Sequence, residues 1–225
     1  MTVTAHPPTA VDPRRHRLLA YTDGPVAALV ALHAAASPAA LPVGPGGHVF
    51  VPADVDADCD RYTTPAGCRL RAGEHQPLLD RVTAAGGELV ARRIHDGGPD
   101  PDTGPAWTVG VAWIRLGLAE RLLAKAAAHL RGRTVAGTPT LNLPMVRAMV
   151  ADAAGAIAEA RALLDADPAP DPAALRQAHH ALDEAGRTCL HLFGAAGFLA
   201  GGPGSEVRVS ELLADTYPPT EVEAT

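Results

Sequence analysis

The hydrophobic pattern of the chain changes period near residue 100. Between residues 16 and 98 the apolar residues come in short runs that are cut by Gly, Pro and Asp. Runs of this length between turn residues are typical of strands, so the pattern predicts a small antiparallel sheet. The runs predicted as strands are "RLLAYTDG", "PVAALVALHA", "GGHVFVPAD", "QPLLDRVT" and "GELVARRI". The alanine content of "VAALVALHAAA" leaves a helix as the alternative there.

From residue 106 onward the apolar residues recur at helical spacing. In the segment 106–132, Val109, Trp113 and Leu116 are three or four positions apart, which predicts a long amphipathic helix. Its polar positions are assigned to Arg115, Glu120, Lys125 and Arg131.

Three further helices are predicted from the residues at their starts. Pro144 suits the first turn of a helix over residues 143–165, and Asp171 followed by Pro172 is an N-cap signal for a helix that ends at Phe193. Ser205 is the predicted cap of the last helix, which ends near Asp215. Four such helices make a bundle. The predicted division is a tail over 1–15, a partial β-domain over 16–98, a linker over 99–105, a helical bundle over 106–217 and a tail over 218–225.

Charge and cysteine usage exclude several classes of function. The net charge of -6 argues against a nucleic-acid or anionic membrane surface, because such partners need clusters of Lys and Arg. Three cysteines without a CxxC pair predict neither a disulfide framework nor a zinc site. No apolar signal segment follows the N-terminal charges, so we expect a soluble cytoplasmic protein. A metal site from His179, His180 and His191 is a remote alternative, because adjacent histidines face different sides of a helix, and we predict no metal.

A glycine-rich segment follows the third predicted helix. It reads "GAAGF" from Gly194 to Phe198, and a second glycine pair and a proline come within ten residues. One interpretation is a C-cap, with Gly194 in the left-handed conformation. The other is that backbone without large side chains lets a flat or charged group approach closely.

Four motifs, in this order along the chain, resemble the acyl-CoA dehydrogenase flavoproteins. "AYTDGPVAALVAL" is similar to the family's W-I-T-N-G stretch, and "GGHVFVPADVD" to a later strand of its β-domain. "RTVAGTP", with Arg133, Gly137 and Pro139, matches the family's R-x-x-x-G-x-P loop, and "GAAGF" resembles its glycine signature. The resemblance implies an α+β fold, in which a partial antiparallel β-domain precedes a C-terminal four-helix bundle of acyl-CoA dehydrogenase type. The family's N-terminal helices and first strands have no counterpart, which predicts a truncated subunit.

The resemblance also implies an FAD site that is shared with a partner chain. Thr22 matches the threonine that lies against the flavin ring, and Arg133 matches the arginine that holds the flavin diphosphate of an adjacent subunit. Residues with larger side chains in the family are Ala20, Ala136 and Ala214 here. The predicted cofactor contacts are Thr22, Arg133, Gly137, Gly194, Ala195 and Gly197.

Glu223 is the predicted catalytic base, because it lies at a family-like distance beyond Asp215, and Glu221 is the near alternative. Removal of a proton beside a thioester carbonyl needs such a base. The predicted function is therefore that of a subunit in a hetero-oligomeric FAD enzyme that desaturates an acyl thioester. Its partners would be a larger subunit of the family, further copies bound through the bundle, or both. The alternative is a catalytically degenerate homologue that acts as a structural partner or binds a small molecule.

Overall fold

The computed structural model describes residues 12–64, 67–71, 76–94, 104–199 and 201–219. Its α-helices are α1 Arg14–Thr22, α2 Pro25–Ala36, α3 Ala53–Asp58, α4 Pro105–Gly132, α5 Pro144–Ala166, α6 Pro172–Phe193 and α7 Pro203–Thr216. Its strands are β1 His48–Pro52, β2 Arg61–Thr64, β3 Gly67–Leu70, β4 Leu78–Ala84, β5 Gly87–Arg93, β6 Thr134–Val135 and β7 Thr138–Pro139. None of the described helices has the length and apolar character needed to cross a membrane.

Three of the predicted strands form one antiparallel sheet in the order β1-β5-β4. Val51 is opposite Val90, and Val82 is opposite Leu89. The short strands β2 and β3 pair separately as a hairpin. The prediction of an α+β fold with a small antiparallel sheet before a helical bundle is confirmed.

The first two predicted strands are helices, so the strand prediction is wrong there, and the helix alternative for the second run is confirmed. The helix α1 begins at Arg14, inside the segment predicted as a tail, and α2 has Pro25 at its first position after Gly24. Proline is favoured at that position and alanine has the highest helix propensity. The buried residues Ala28, Leu29 and Leu32 recur at helical spacing and join the core against α4.

The central helix α4 packs on both of its sides. Trp107, Ile114 and Leu118 share one core with the sheet, α1 and α2, whereas Trp113 and Leu116 share a second core with α5 and α6. Arg115, predicted to occupy a polar position, is fully buried, because this part of α4 has no face left for solvent. Because α4 packs against two cores, its sides in this part are buried and the polar face predicted by the amphipathic pattern is absent.

The helix α6 begins where the sequence predicts, whereas α7 begins two residues before its predicted cap. The Asp171 side chain accepts a hydrogen bond from the Ala174 N–H at 2.7 Å, as predicted for an N-cap. The helix α7 begins at Pro203 rather than after Ser205, whose hydroxyl instead donates to the Gly202 carbonyl.

Tyr217 joins the end of α7 to the sheet. Its hydroxyl oxygen accepts a hydrogen bond from the Phe50 N–H at 3.0 Å, and the hydroxyl donates a hydrogen bond to the Pro42 carbonyl at 3.2 Å. Its ring lies edge-on to Trp107, with centroids 5.5 Å apart. The side chain is fully buried, and burial raises the pKa of its hydroxyl. One aromatic residue thus links β1, α4 and α7.

Candidate functional site

The ends of α4 and α6 meet at one end of the bundle. The His129 ring, in the last turn of α4, lies 5.4 Å from the Phe193 ring at the end of α6. Leu130 and Leu192 share a core there, against which Val146 of α5 packs. The segments that follow these helices are Arg133–Pro139 and Gly194–Leu199, and we call them together the bundle end. The structure therefore brings the two motifs that carry all of the predicted cofactor contacts except Thr22 to the same end of the bundle.

The segment after α4 is a two-stranded hairpin with an exposed arginine at its base. Ala136 and Gly137 both have positive φ, 49° and 81°, as the tightest hairpin turns require. The Arg133 carbonyl accepts bonds from the Thr140 N–H at 2.8 Å and from its hydroxyl at 3.1 Å. The Arg133 guanidinium is exposed and has no hydrogen-bond or ion-pair partner in the described part of the chain. A fixed backbone therefore presents a charge that an external anion can reach.

The glycines of the second segment have different roles. Gly194 ends α6 with φ 56° and ψ -138°, a conformation outside the left-handed helical region that only glycine adopts easily. A Cβ at Gly194 would meet no atom within 4 Å, so the space beside it is open. Gly197 is buried, and a Cβ there would lie 3.2 Å from the Leu190 carbonyl oxygen. Gly197 thus serves packing within the chain, whereas the backbone at Gly194 and the exposed Ala195 is accessible.

The two segments of the bundle end and the start of α5 carry exposed apolar side chains, which we call the apolar rim. The exposed large hydrophobic side chains that belong to it or follow the hairpin are Val135, Met145, Phe198 and Leu199. Phe198 has 73% of its surface exposed and Met145 has 78%. Clustered exposed apolar side chains mark contact surfaces more often than scattered ones do. The bundle end therefore combines a cation that has no partner in the described ranges with open backbone and apolar side chains.

Thr22 lies apart from the bundle end. Its hydroxyl donates to the Leu18 carbonyl at 3.0 Å or to Asp23 at 2.7 Å, and its carbonyl accepts from Arg121 at 2.8 Å. Arg121 lies on α4, twelve positions before Arg133, the residue that caps the end of this helix. At a rise of 1.5 Å per residue, Thr22 is therefore about 18 Å from Arg133 along the helix axis. The predicted base Glu223 and its alternative Glu221 lie outside the described residues.

A second polar cluster lies inside the bundle, around the buried Arg115. Its guanidinium contacts His179 Nδ1 and the Asp183 carboxylate on α6, and its Nε donates to the Ser210 hydroxyl on α7 at 3.0 Å. Burial, with the adjacent Arg115 charge, lowers the pKa of His179 to about 3. His179 is therefore neutral and accepts at Nδ1, so its proton is on Nε2, which has no partner among the described residues.

The Arg115 cluster holds α6 and α7 onto α4, and it explains His179 without a metal. Among the described residues there is no group of three or more metal-binding side chains. The helical spacing does not predict this cluster, because it assigns Arg115 to a polar position on the surface. The available signal was an arginine inside the continuous apolar run "VGVAWIRLGLA", since a charge within such a run is buried only when it is paired.

No protein-family model and no curated protein matches the chain. Solved structures do match it in fold. A putative acyl-CoA dehydrogenase from Mycobacterium smegmatis has 15% identity and a TM-score of 0.55, over 79% of this chain and 63% of that chain. A probable acyl-CoA dehydrogenase from Mycobacterium abscessus has 17% identity and a TM-score of 0.52, over 78% and 60%. A glutaryl-CoA dehydrogenase from Mycobacterium smegmatis in complex with FADH2 has 14% identity and a TM-score of 0.51, over 77% and 51%.

These similarities show that the chain has the acyl-CoA dehydrogenase fold over about three quarters of its length. The chain spans less than two thirds of each of those three structures. The resemblance inferred from the order of four sequence motifs is thus confirmed at the level of the fold. At these identities the comparison carries the fold and not the chemistry, because folds are reused for different functions.

Proposed function

We propose that this protein is a subunit of an FAD-dependent enzyme that desaturates an acyl thioester, and that its bundle end contacts a flavin bound mainly by a partner chain. The observation that supports this most is that Arg133, which has no partner among the described residues, and the open backbone at Gly194 follow helix ends that meet at one end of the bundle. The fold is that of the acyl-CoA dehydrogenases, and one matched structure of that fold is described as a complex with FADH2. The partner would be a larger subunit of the same fold or a second copy of this chain.

Each predicted cofactor contact in the bundle end has a role in this proposal. The planar Arg133 guanidinium can donate two parallel hydrogen bonds to a diphosphate, which a lysine cannot do. The positive φ of Gly137 keeps the hairpin turn tight and so fixes the position of Arg133. The backbone at Gly194 and Ala195 allows close approach, and the apolar rim would pack against the partner chain. Gly197 supports the turn from within.

Glu223 is the proposed base, which would remove the proton beside the thioester carbonyl. The bound flavin would supply the hydride acceptor for the neighbouring carbon. A carboxylate serves as such a base when it lies within hydrogen-bond reach of the proton that it removes. Glu221, two positions earlier, is the internal comparison.

The visible absorption spectrum tests flavin binding directly. The protein would be purified with and without co-expressed proteins of the same fold from neighbouring genes, and we expect a flavin band only when a partner is present. Arg133→Gln should lower the flavin retained by the complex about tenfold, because a charge-assisted diphosphate contact is lost. The matched control is Arg131→Gln, which removes an equal charge two residues away. Equal losses from both variants would contradict a specific role for Arg133.

Turnover by the assembled complex tests the proposed base. Glu223→Gln should abolish desaturation and also the exchange of the substrate's α-proton with solvent deuterium, while Glu221→Gln should preserve both. Full activity of the Glu223→Gln complex would remove Glu223 from the mechanism. Flavin retention, measured on the same samples, separates loss of the base from loss of assembly.

The second candidate function is that of a degenerate homologue, which supports a partner or binds a small molecule without redox chemistry. The observation that favours it concerns Thr22 and Ala20. The Thr22 hydroxyl bonds within its own helix end, and Ala20, which stands where the family has tryptophan, is fully buried. A stable complex that contains no flavin would support this function over the first.

A further inference from the structure

A groove lies between the short helix α3 and the β4–β5 hairpin, in the β-domain. It has a volume of about 510 Å³ and is lined by Ala53, Asp56, Ala57, Arg71, Arg81, Val90 and Arg92. We call it the arginine groove. Its volume is within the range of small-molecule sites, about 300 to 1,000 Å³. None of these residues belongs to the bundle end, so the groove is a separate feature of the molecule.

The local sequence pattern produces both the space and its charge. Arg81 on β4 is directly opposite Val90 on β5, so their side chains share one face of the sheet. Arg92 lies two positions after Val90 and therefore faces the same side. Ala53 and Ala57 are four positions apart on α3, and their small side chains leave the space above Val90 unfilled. The floor is thus apolar, whereas arginines stand around it.

Two of the three arginines are held in position by a buried carboxylate. Asp56 accepts from Arg92 Nε at 2.6 Å and lies 3.1 Å from Arg71 Nη2, while its side chain is only 7% exposed. Arg71 also donates to the Asp56 carbonyl at 2.6 Å and to the Cys59 carbonyl at 3.0 Å. Arg71 Nε also donates to Gln76 at 2.7 Å, so most of its donors are used and its role is to fix the wall of the groove. Arg92 uses Nε and also Nη1, which donates to the Gln76 carbonyl at 3.1 Å, and among the described residues this leaves its Nη2 for a ligand.

The third arginine is held more loosely. Arg81 Nη1 donates to Glu88 at 2.6 Å, and the two side chains are 50% and 45% exposed. Such a surface pair contributes little energy and exchanges partners easily. The lining side chains, three guanidiniums and the Asp56 carboxylate, carry a charge of +2, which Glu88 beside Arg81 reduces to +1, while Asp54 and Asp58 of α3 are exposed and do not line the groove. A concave surface with excess positive charge attracts anions.

We propose that the arginine groove binds an organic phosphate, with the phosphate between Arg81 and Arg92 and the organic part over Val90. Guanidinium groups match the geometry of phosphate oxygens. Val90, Ala53 and Ala57 form an apolar floor, which an organic group can cover and a free phosphate ion cannot. For this reason we propose an organic phosphate as the ligand. This site does not depend on flavin and is independent of the function proposed for the bundle end.

Phenyl phosphate is the probe, titrated into the full-length protein at low ionic strength and followed by calorimetry and by amide chemical shifts. We expect saturable binding with shifts at β4 and β5. Arg81→Gln should weaken it about tenfold, because one charge-assisted contact is lost. Glu88→Gln should strengthen it by about twofold to threefold, because it frees Arg81 from its competing carboxylate. The control is Arg14→Gln, which removes an exposed, ion-paired arginine on α1 and should leave the Kd unchanged.

Four results would overturn the proposal. They are the absence of saturable binding, equal weakening by Arg81→Gln and Arg14→Gln, equal affinity for inorganic phosphate and phenyl phosphate, and tighter binding of benzoate than of phenyl phosphate. The third would remove the role of the apolar floor, and the fourth would assign the groove to carboxylates. The opposite effects of Arg81→Gln and Glu88→Gln are informative even if one variant loses stability, because general unfolding cannot strengthen binding.

Discussion

The middle and the end of the helical bundle use arginine in opposite ways. Arg115, in the middle, is fully buried and contacts His179, Asp183 and Ser210. Arg133, at the end, is exposed and has no side-chain partner among the described residues. A buried charge is tolerated only when it is paired, so the partners of Arg115 are explained by stability. An exposed charge contributes little to stability, and Arg133 has no partner among the described residues, so we assign contact with a ligand to it because it lies on a fixed hairpin at the bundle end.

Arg115→Ala tests this contrast with the largest expected effect. It leaves the partly buried Asp183 without its cation and opens a cavity between α4, α6 and α7, so we expect a loss of about 3 to 5 kcal/mol in the free energy of unfolding. Urea denaturation followed by circular dichroism measures the loss. Arg133→Ala is the matched control and should change the free energy by less than about 0.5 kcal/mol. Similar losses from both variants would abolish the distinction between the two arginines.

The pH dependence of stability tests the state of His179. Its pKa is about 3 in the folded protein and ordinarily 6.5, so below pH 6.5 the unfolded chain takes up a proton that the folded chain does not. Unfolding is then favoured as pH falls, by about 1.4 kcal/mol per pH unit, until the folded pKa near 3 is reached. His179→Asn keeps an acceptor for Arg115 but cannot titrate, so its stability should depend less steeply on pH across that window.

His180→Asn is the control for this experiment. His180 is adjacent in sequence but exposed, with its imidazole 3.4 Å from Glu184. The His180→Asn variant should keep the steep pH dependence of the unmodified protein, because it retains His179. Carboxylates that titrate in the same pH window contribute equally to all three proteins and do not affect the comparison. A slope that is unchanged in His179→Asn would show that folding does not lower the pKa of His179.

Tyr217→Phe is expected to have a smaller effect, at the junction of the bundle with the sheet. It removes the hydroxyl that accepts from the Phe50 N–H, and it leaves that buried donor unpaired, which costs about 1 to 3 kcal/mol. Thermal or urea unfolding measures the cost. Tyr21→Phe, at a tyrosine with 42% of its surface exposed, should be neutral. Equal stabilities of the two variants would mean that the Tyr217 hydroxyl contributes nothing to the junction.

The order of motifs along the chain was sufficient to predict the fold, while the period of apolar residues was not sufficient to assign every element. The residues of α2 are nearly all apolar, so strand and helix patterns cannot be separated there, and the tertiary contacts of Leu29 and Leu32 with the α4 core decide. Arg115 was misassigned for a related reason. A helix that packs on two cores has no polar face, and sequence spacing does not reveal how many neighbours a helix has.

The sequence predicts the two segments of the candidate site because each comes directly after the end of a helix. The loop at Arg133 and the break at Gly194 were recognised from glycine and proline, which mark chain reversals. Their meeting at one end of the bundle depends on the antiparallel packing of α5 between them, which became evident only in the structure. The different roles of Gly194 and Gly197 depend on atoms that approach them in space, and no local pattern carries that information.

The smallest expected effects come from two glycines, which test whether the hairpin positions Arg133. A Cβ at Gly137 or at Gly155 would meet no atom within 4 Å, but Gly137 has φ 81° and Gly155 lies in the interior of α5. Gly137→Ala should therefore cost about 1 kcal/mol through backbone strain, whereas Gly155→Ala should stabilise by about 0.5 to 1 kcal/mol.

Because neither substitution introduces a steric clash, their difference isolates the backbone conformation of the hairpin. In the assembled complex Gly137→Ala should also reduce flavin retention, since a distorted turn moves Arg133, whereas Gly155→Ala should retain flavin fully. A Gly137→Ala complex that loses stability but keeps all of its flavin would show that the hairpin geometry is structural, and the middle and the end of the bundle would then differ only in exposure.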